Sequence, residues 1–212
     1  MSTLSNLIGS ALSETNTEIE RSVVSRRRIM KQAGALAGAA ALLGGSQLAA
    51  SAGNATTLEI DVACDGRTWR HNHLDGPGGT VKRGDTFIVN GKVYPAGTIS
   101  QGLSGPSQAG GIGTWICRGW FYHGLEEIIE GAVPHVITTQ LYLFDNFDGL
   151  VTDGAEGGEF VVRSITGGYG KYSGARGVAT EVDVEENDTL ITLGEGIQVP
   201  ATNIRFAFEL EQ

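Results

Sequence analysis

The chain has 212 residues, with 15 basic against 24 acidic side chains and a formal net charge of −9. No run of Lys or Arg interrupts that balance after residue 52, so the folded part repels nucleic acid and anionic lipid, and both are excluded as partners. The 32 glycines are about twice the usual share, which points away from long helices and toward short strands joined by turns.

Residues 1–52 read as an export signal. A polar leader precedes Ser25-Arg26-Arg27-Arg28-Ile29-Met30-Lys31, a weakly apolar stretch follows from Ala33 to Leu43, and Ala50-Ser51-Ala52 forms an A-x-A cleavage site. The apolar stretch is too short to span a bilayer. The arginine pair resembles a twin-arginine signal, whose pathway exports folded proteins, so the expected location is secreted or periplasmic, with no membrane span after cleavage. Loss of five basic and three acidic residues with the signal leaves 10 and 21 in residues 53–212, a charge of −11. These 160 residues suit one domain with a sizeable core. Its two cysteines, Cys64 and Cys117, are too few for a disulfide framework, and sequence leaves open whether they pair.

Eight candidate strands follow in order: Thr57–Ala63, Asp85–Asn90, Ile112–His123, His135–Asn146, Gly158–Ile165, Ala175–Val184, Thr189–Leu193 and Asn203–Leu210. Leu58-Glu59-Ile60-Asp61-Val62 alternates apolar and acidic residues, and Ile204, Phe206, Phe208 and Leu210 share one face of the last strand. Leu125–Gly131 has length for a single helical turn. Glycine-rich loops are expected at Gly76–Gly79 and Gly102–Gly113. The pattern predicts an all-β sandwich or an eight-stranded antiparallel up-and-down barrel, the latter with room for side chains or one small ligand.

Four segments together resemble the barrel shared by plant allene oxide cyclases and dirigent proteins. They are the glycine-rich hairpin Ile165–Gly177, the stretch Gly84–Tyr94 with its Gly-Asp start and Lys92-Val93-Tyr94 end, Gly111-Ile112-Gly113-Thr114-Trp115-Ile116-Cys117, and Leu58-Glu59-Ile60-Asp61. The resemblance implies the barrel rather than the sandwich, a cavity for a small hydrophobic organic ligand, and a homotrimer by analogy with the plant proteins. It also implies site residues. Glu59 matches the cyclase glutamate that assists ring closure, Asp61 resembles the dirigent aspartate that handles a proton, and Cys117 matches a cyclase cysteine. Two departures stand out: Ile88 replaces a cyclase proline, and Asn90 lies one place before the cyclase asparagine position, which is Gly91 here.

The expected site is therefore Glu59 and Asp61 as catalytic acids, two residues apart and so on one side of a strand, with Trp115, Cys117, Phe121 and Asn90 contacting the ligand. Facing inward, paired carboxylates would raise each other's pKa and supply a general acid or base. The expected function is steering the cyclisation, isomerisation or stereoselective coupling of a hydrophobic intermediate. The alternative is a lipocalin-like carrier without turnover. A third reading, a metal-dependent cupin barrel, rests on His71-Asn72-His73 and Tyr94-Pro95-Ala96-Gly97. It lacks the downstream glutamate and a histidine near Ile99–Gln101, and two imidazoles do not close a metal site. Cys64–His73 then reads as a polar loop holding two histidines, and neither metal nor cofactor is expected. Gly168–Lys171 is no phosphate loop, because no Ser or Thr follows the lysine and no helix opens there. A Gly-x-Ser-x-Gly nucleophile elbow is absent.

Overall fold

The computed structural model describes residues 56–74, 79–107, 109–157, 160–194 and 196–211; the proposed signal, residues 1–52, lies outside them. Eight antiparallel strands form a closed barrel in chain order. They are β1 (Thr56–Asn72), β2 (Thr86–Pro95), β3 (Gly113–Phe121), β4 (Val136–Phe144), β5 (Gly149–Glu156), β6 (Val161–Tyr169), β7 (Arg176–Gly194) and β8 (Ile197–Glu211), with one short helix, α1 (Leu125–Ile129), between β3 and β4. The expected barrel and its up-and-down order are both present. Closure comes from β1 against β8, in register from Thr56–Leu210 to Ala63–Asn203. Among the described residues no helix is long and apolar enough to cross a membrane.

The eight strands differ in detail from those the sequence suggests. Thr189–Leu193 belongs to the long β7, paired with β8 out to Gly194–Ile197. Cys64–His73 is not a loop: β1 runs on through it to Asn72, with a pairing irregularity against β2 between Asp65 and Arg70. The unexpected strand is β5. Its Gly149, Asp153 and Gly154 weaken the β signal, yet it pairs along its length with β4.

Strand alternation sorts the side chains. Ile60, Val62, Val89, Val93, Tyr142, Leu150, Ile165, Ala179, Phe206, Phe208 and Leu210 form one buried cluster inside the barrel, and Tyr142 packs edge-on against both Phe206 and Phe208. Each such large apolar side chain contributes about 1.5–3 kcal/mol by leaving water.

A second layer lies outside the wall. The described residues of segment 96–112, which overlaps the glycine-rich loop expected at Gly102–Gly113, are tied down by side chains on the outer faces of β1, β2 and β8. Asp61 accepts the backbone N–H of Ile99 (2.9 Å), Ser107 exchanges hydrogen bonds with the Tyr94 hydroxyl (2.6 Å), and Asn203 donates to the carbonyl of Leu103 (2.8 Å).

The Ile165–Gly177 hairpin joins β6 to β7 as its glycines imply. Gly170 has φ +63°, and a side chain there would also run into Asp148 Oδ1 and the backbone of Phe147. The carboxylate it would displace accepts the N–H of Lys171 (2.8 Å), so glycine is required for the turn.

Candidate functional site: a buried acid–guanidinium cluster

Polar residues occupy inward positions on four adjacent strands. β4 supplies Thr138, Gln140 and Tyr142; β5 supplies Thr152 and Glu156; β6 supplies Arg163; and β7 supplies Glu181. Arg163 is only 1% exposed. Its Nε donates to Thr152 Oγ1 (2.9 Å) and its Nη2 to the carbonyl and hydroxyl of Thr138 (3.1 and 2.8 Å). Nη1 donates to Glu156 Oε1 (2.5 Å) and lies 3.6 Å from Glu181 Oε2. Thr138 Oγ1 donates to the same Glu156 oxygen. β5 makes room for the stem of this side chain: a Cβ on Gly154 would stand 3.2 Å from Arg163 Cγ, a tight contact that would push the stem by a few tenths of an ångström.

Gln140 links the cluster to the aromatic core. Its amide nitrogen donates to Glu156 Oε1 (2.9 Å) and Glu181 Oε2 (3.1 Å). Its carbonyl oxygen accepts from Trp115 Nε1 (3.0 Å) and the Tyr142 hydroxyl (2.6 Å). These contacts fix which way the amide points, because only its nitrogen can serve two carboxyl groups.

Burial and the neighbouring Glu156 push the Glu181 pKa up to about 8, against a smaller pull from Arg163. Glu181 is therefore largely protonated at neutral pH. Burial likewise raises the Tyr142 hydroxyl and the Cys117 thiol well above their usual ranges, so both stay neutral. Cys64 is pushed up to about 12, again mainly by burial. Both thiols are buried and free, which makes them small core residues rather than nucleophiles.

The cluster lies nearest one mouth of the barrel. Across the sheet, Phe121 pairs with Val136 and Val136 with Glu156, and the Glu156 side chain is 20% exposed. The β1–β3 side of this mouth is aromatic: Trp69 stacks on Phe87 with ring centroids 4.7 Å apart, and Phe87 and Phe121 lie 5.3 Å apart. At the opposite mouth a hollow of about 520 Å³ is lined by Leu58, Ile60, Phe144, Tyr172, Lys171 and Glu59, among others.

Of the residues expected from sequence, Trp115, Cys117 and Phe121 point inward, and Trp115 joins the cluster directly. The expected inward pair does not form. Glu59 is exposed, on the rim of the opposite hollow. Asp61 is fully buried, but under segment 96–112 on the outer wall, where Arg205 donates to it through Nε (2.8 Å) and Nη2 (3.3 Å). The reason is the parity of β1: Ile60, Val62 and Cys64 take the core face, so the intervening acids face out. Asn90 is also outward, and its backbone, through both N–H and C=O, meets the Thr68 hydroxyl.

Gln140, Glu156, Arg163 and Glu181 escaped the sequence reading. The signal was the parity of Thr138-x-Gln140-x-Tyr142 and Val161-x-Arg163-x-Ile165, in which polar residues share the face of apolar ones.

No protein-family model matches the sequence, and no curated protein matches it. Solved structures do match by shape. The pterocarpan synthase dirigent protein GePTS1 aligns over 74% of this chain and 85% of its own, at 12% identity and TM-score 0.50. The barrel is dirigent-like in fold. A second dirigent protein, the pterocarpan synthase PsPTS1, covers 74% of this chain and 97% of its own at 13% identity and TM-score 0.48. A pyocyanin demethylase covers 73% and 99% at 15% identity and TM-score 0.44. At these identities the likeness concerns architecture alone.

The raised Glu181 pKa has a consequence for stability. With its pKa raised, folded Glu181 keeps a proton that the unfolded chain releases near the ordinary glutamate value of 4.5. Stability should therefore fall as pH rises from about 4.5 to about 8 and level off above. Glu181→Gln keeps the shape of the protonated acid and cannot ionise. Thermal melts should place it level with wild type at pH near 5 and above it at pH near 9, by about 5 °C or more. Parallel curves for the two proteins would show that Glu181 does not carry this proton.

Proposed function

We propose that the protein is an exported, dirigent-like barrel that binds a small, largely apolar organic molecule and steers its cyclisation, isomerisation or coupling. The observation that carries this reading is the pair of acids, Glu156 and Glu181, held inside the barrel around Arg163, where burial and Glu156 raise the Glu181 pKa. With Glu181 protonated, one guanidinium and one carboxylate balance, so the cluster can yield or accept a proton with a change of a single charge. Such a poised acid suits reactions that move a proton on a bound intermediate near neutral pH. In this reading Trp69, Phe87 and Phe121, at the same end of the barrel as the partly exposed Glu156, would supply the apolar walls for a ligand. Holding one reactive conformer against those walls would supply much of the rate effect.

A carrier of apolar ligands gains nothing from a buried guanidinium and two acids, whose desolvation costs folding energy. The polar interior therefore favours the chemical reading over the carrier.

The exported protein, purified under native conditions from its producing cells and extracted with organic solvent, should release a low-mass aromatic or alicyclic compound detectable by mass spectrometry. Phe121→Ala should lose that compound, whereas Glu156→Gln/Glu181→Gln should retain it and fail to convert it. Identical extracts from wild type and Phe121→Ala would remove the mouth as a binding site. Conversion undiminished in the double variant would leave binding without the proposed chemistry.

We further propose that residues 1–52 direct export through the twin-arginine pathway and are removed after Ala52. N-terminal sequencing of the exported form should begin at Gly53. Replacing Arg26 and Arg27 by Lys should keep the folded protein in the cytoplasm; continued export of the folded variant would defeat the assignment.

A further inference from the structure

We infer that His71, His73 and Asp85 form a binding site for a divalent transition-metal ion, Zn2+ foremost, at the rim of the aromatic mouth. This inference stands apart from the chemistry proposed for the barrel interior. The continuation of β1 past the irregularity at Asp65–Arg70 brings His71 opposite Phe87 of β2, and His73 follows directly after the strand ends at Asn72. Asp85 sits immediately before β2 and has no solvent exposure.

The ligand atoms converge. His71 Nε2 lies 3.1 Å and His73 Nδ1 3.3 Å from the same carboxylate oxygen, Asp85 Oδ2, and the three donor atoms all lie within 4.8 Å of one another. An ion held at roughly 2.0–2.2 Å by nitrogen and oxygen ligands in tetrahedral geometry spaces those ligands by about 3.3 Å. The observed separations match that spacing.

Crowding at Oδ2 favours a cation over hydrogen bonds alone. The Lys82 backbone N–H already donates to Oδ2 (3.0 Å), and the Leu74 N–H donates to Oδ1 (2.9 Å). Two imidazoles would bring three donors onto one oxygen, which has two lone pairs. A single ion replaces both imidazole hydrogens, and the two backbone N–H groups remain to orient the carboxylate, as groups behind metal ligands do.

The setting of the rings suits a metal as well. The His71 ring is 6% exposed, and among the described residues Nδ1 has no partner. Nε2 is therefore its single polar contact, and it faces Asp85. The ring centroids of His71 and His73 are 3.8 Å apart; two imidazolium ions would repel at that distance, whereas one ion held between them binds both rings. Two imidazoles and one carboxylate form a three-ligand set that leaves a position for water.

The test uses the full exported chain, stripped with chelator and titrated with Zn2+ by calorimetry and with Co2+ by visible absorption. One equivalent of Zn2+ should bind, and Co2+ should show the ligand-field bands of a nitrogen–oxygen site. Asp85 also holds two backbone N–H groups, so its replacement risks the fold; His73→Gln, with the more exposed ring, is the informative variant. It should weaken Zn2+ binding by more than the roughly 10–100-fold that loss of a supporting group costs, with an unchanged melting temperature in chelator. Absence of Zn2+ binding by the folded wild-type chain would overturn the site, as would equal binding by His73→Gln and wild type.

Discussion

A guanidinium sealed inside a barrel of eight strands sets the terms for much of the interior. Removing an ion from water costs several kcal/mol even after relaxation, and Arg163 is 1% exposed. The cost is offset only where every N–H finds an acceptor with good geometry. Here Thr152, Thr138, Glu156 and Glu181 surround it, drawn from three strands flanking β6 on either side. The glycine at position 154 leaves the space its stem occupies. Two acids against one guanidinium leave one acid in excess. Burial raises the pKa of Glu181, the more deeply buried of the two, which favours the proton there as the resolution of that excess.

The barrel thus separates two kinds of polar burial. Inside, carboxyl groups, an amide and a guanidinium form one connected network that reaches Trp115 and Tyr142 through Gln140. Outside, Asp61, Tyr94 and Asn203 serve as fasteners for segment 96–112. The Asp61–Arg205 pair is structural: the carboxylate is committed to a guanidinium and to a backbone N–H, which leaves little capacity for a ligand. The same residue type two positions from Glu59 therefore acts as an anchor on one wall, while the acids with room for chemistry come from β5 and β7.

How much of this was legible in the sequence follows from periodicity. Clean alternation in Leu58–Val62 and Ile204–Leu210 identifies strands that wall the core, and the glycines of the Ile165–Gly177 hairpin identify a tight turn. Strand β5 was not legible, because Gly149, Asp153 and Gly154 read as breakers, and the need for a small residue beside Arg163 appears only in three dimensions. Glu59 and Asp61 were placed on the wrong face because resemblance outweighed the simpler rule that Leu58, Ile60 and Val62 take the core side. Trp115, Cys117 and Phe121, two or four residues apart on β3, share its inner face as strand alternation requires. His71 and His73, at and just past the end of β1, read as part of a loop because Asp65-Gly66-Arg67 interrupts the alternation, and their third partner, Asp85, is distant in sequence, just before β2.

The central claim is that the barrel interior stores a proton on Glu181 near neutral pH. The most direct measurement is a titration of the Glu181 side-chain carboxyl by carbon NMR on the folded protein, with Glu181→Gln used to assign the resonance. A midpoint near 8, with no chemical-shift change through the ordinary carboxylate range, is the predicted result. A midpoint near the ordinary glutamate value of 4.5 would contradict the account, since Glu181 would then be an ionised partner of Arg163 with no proton to give.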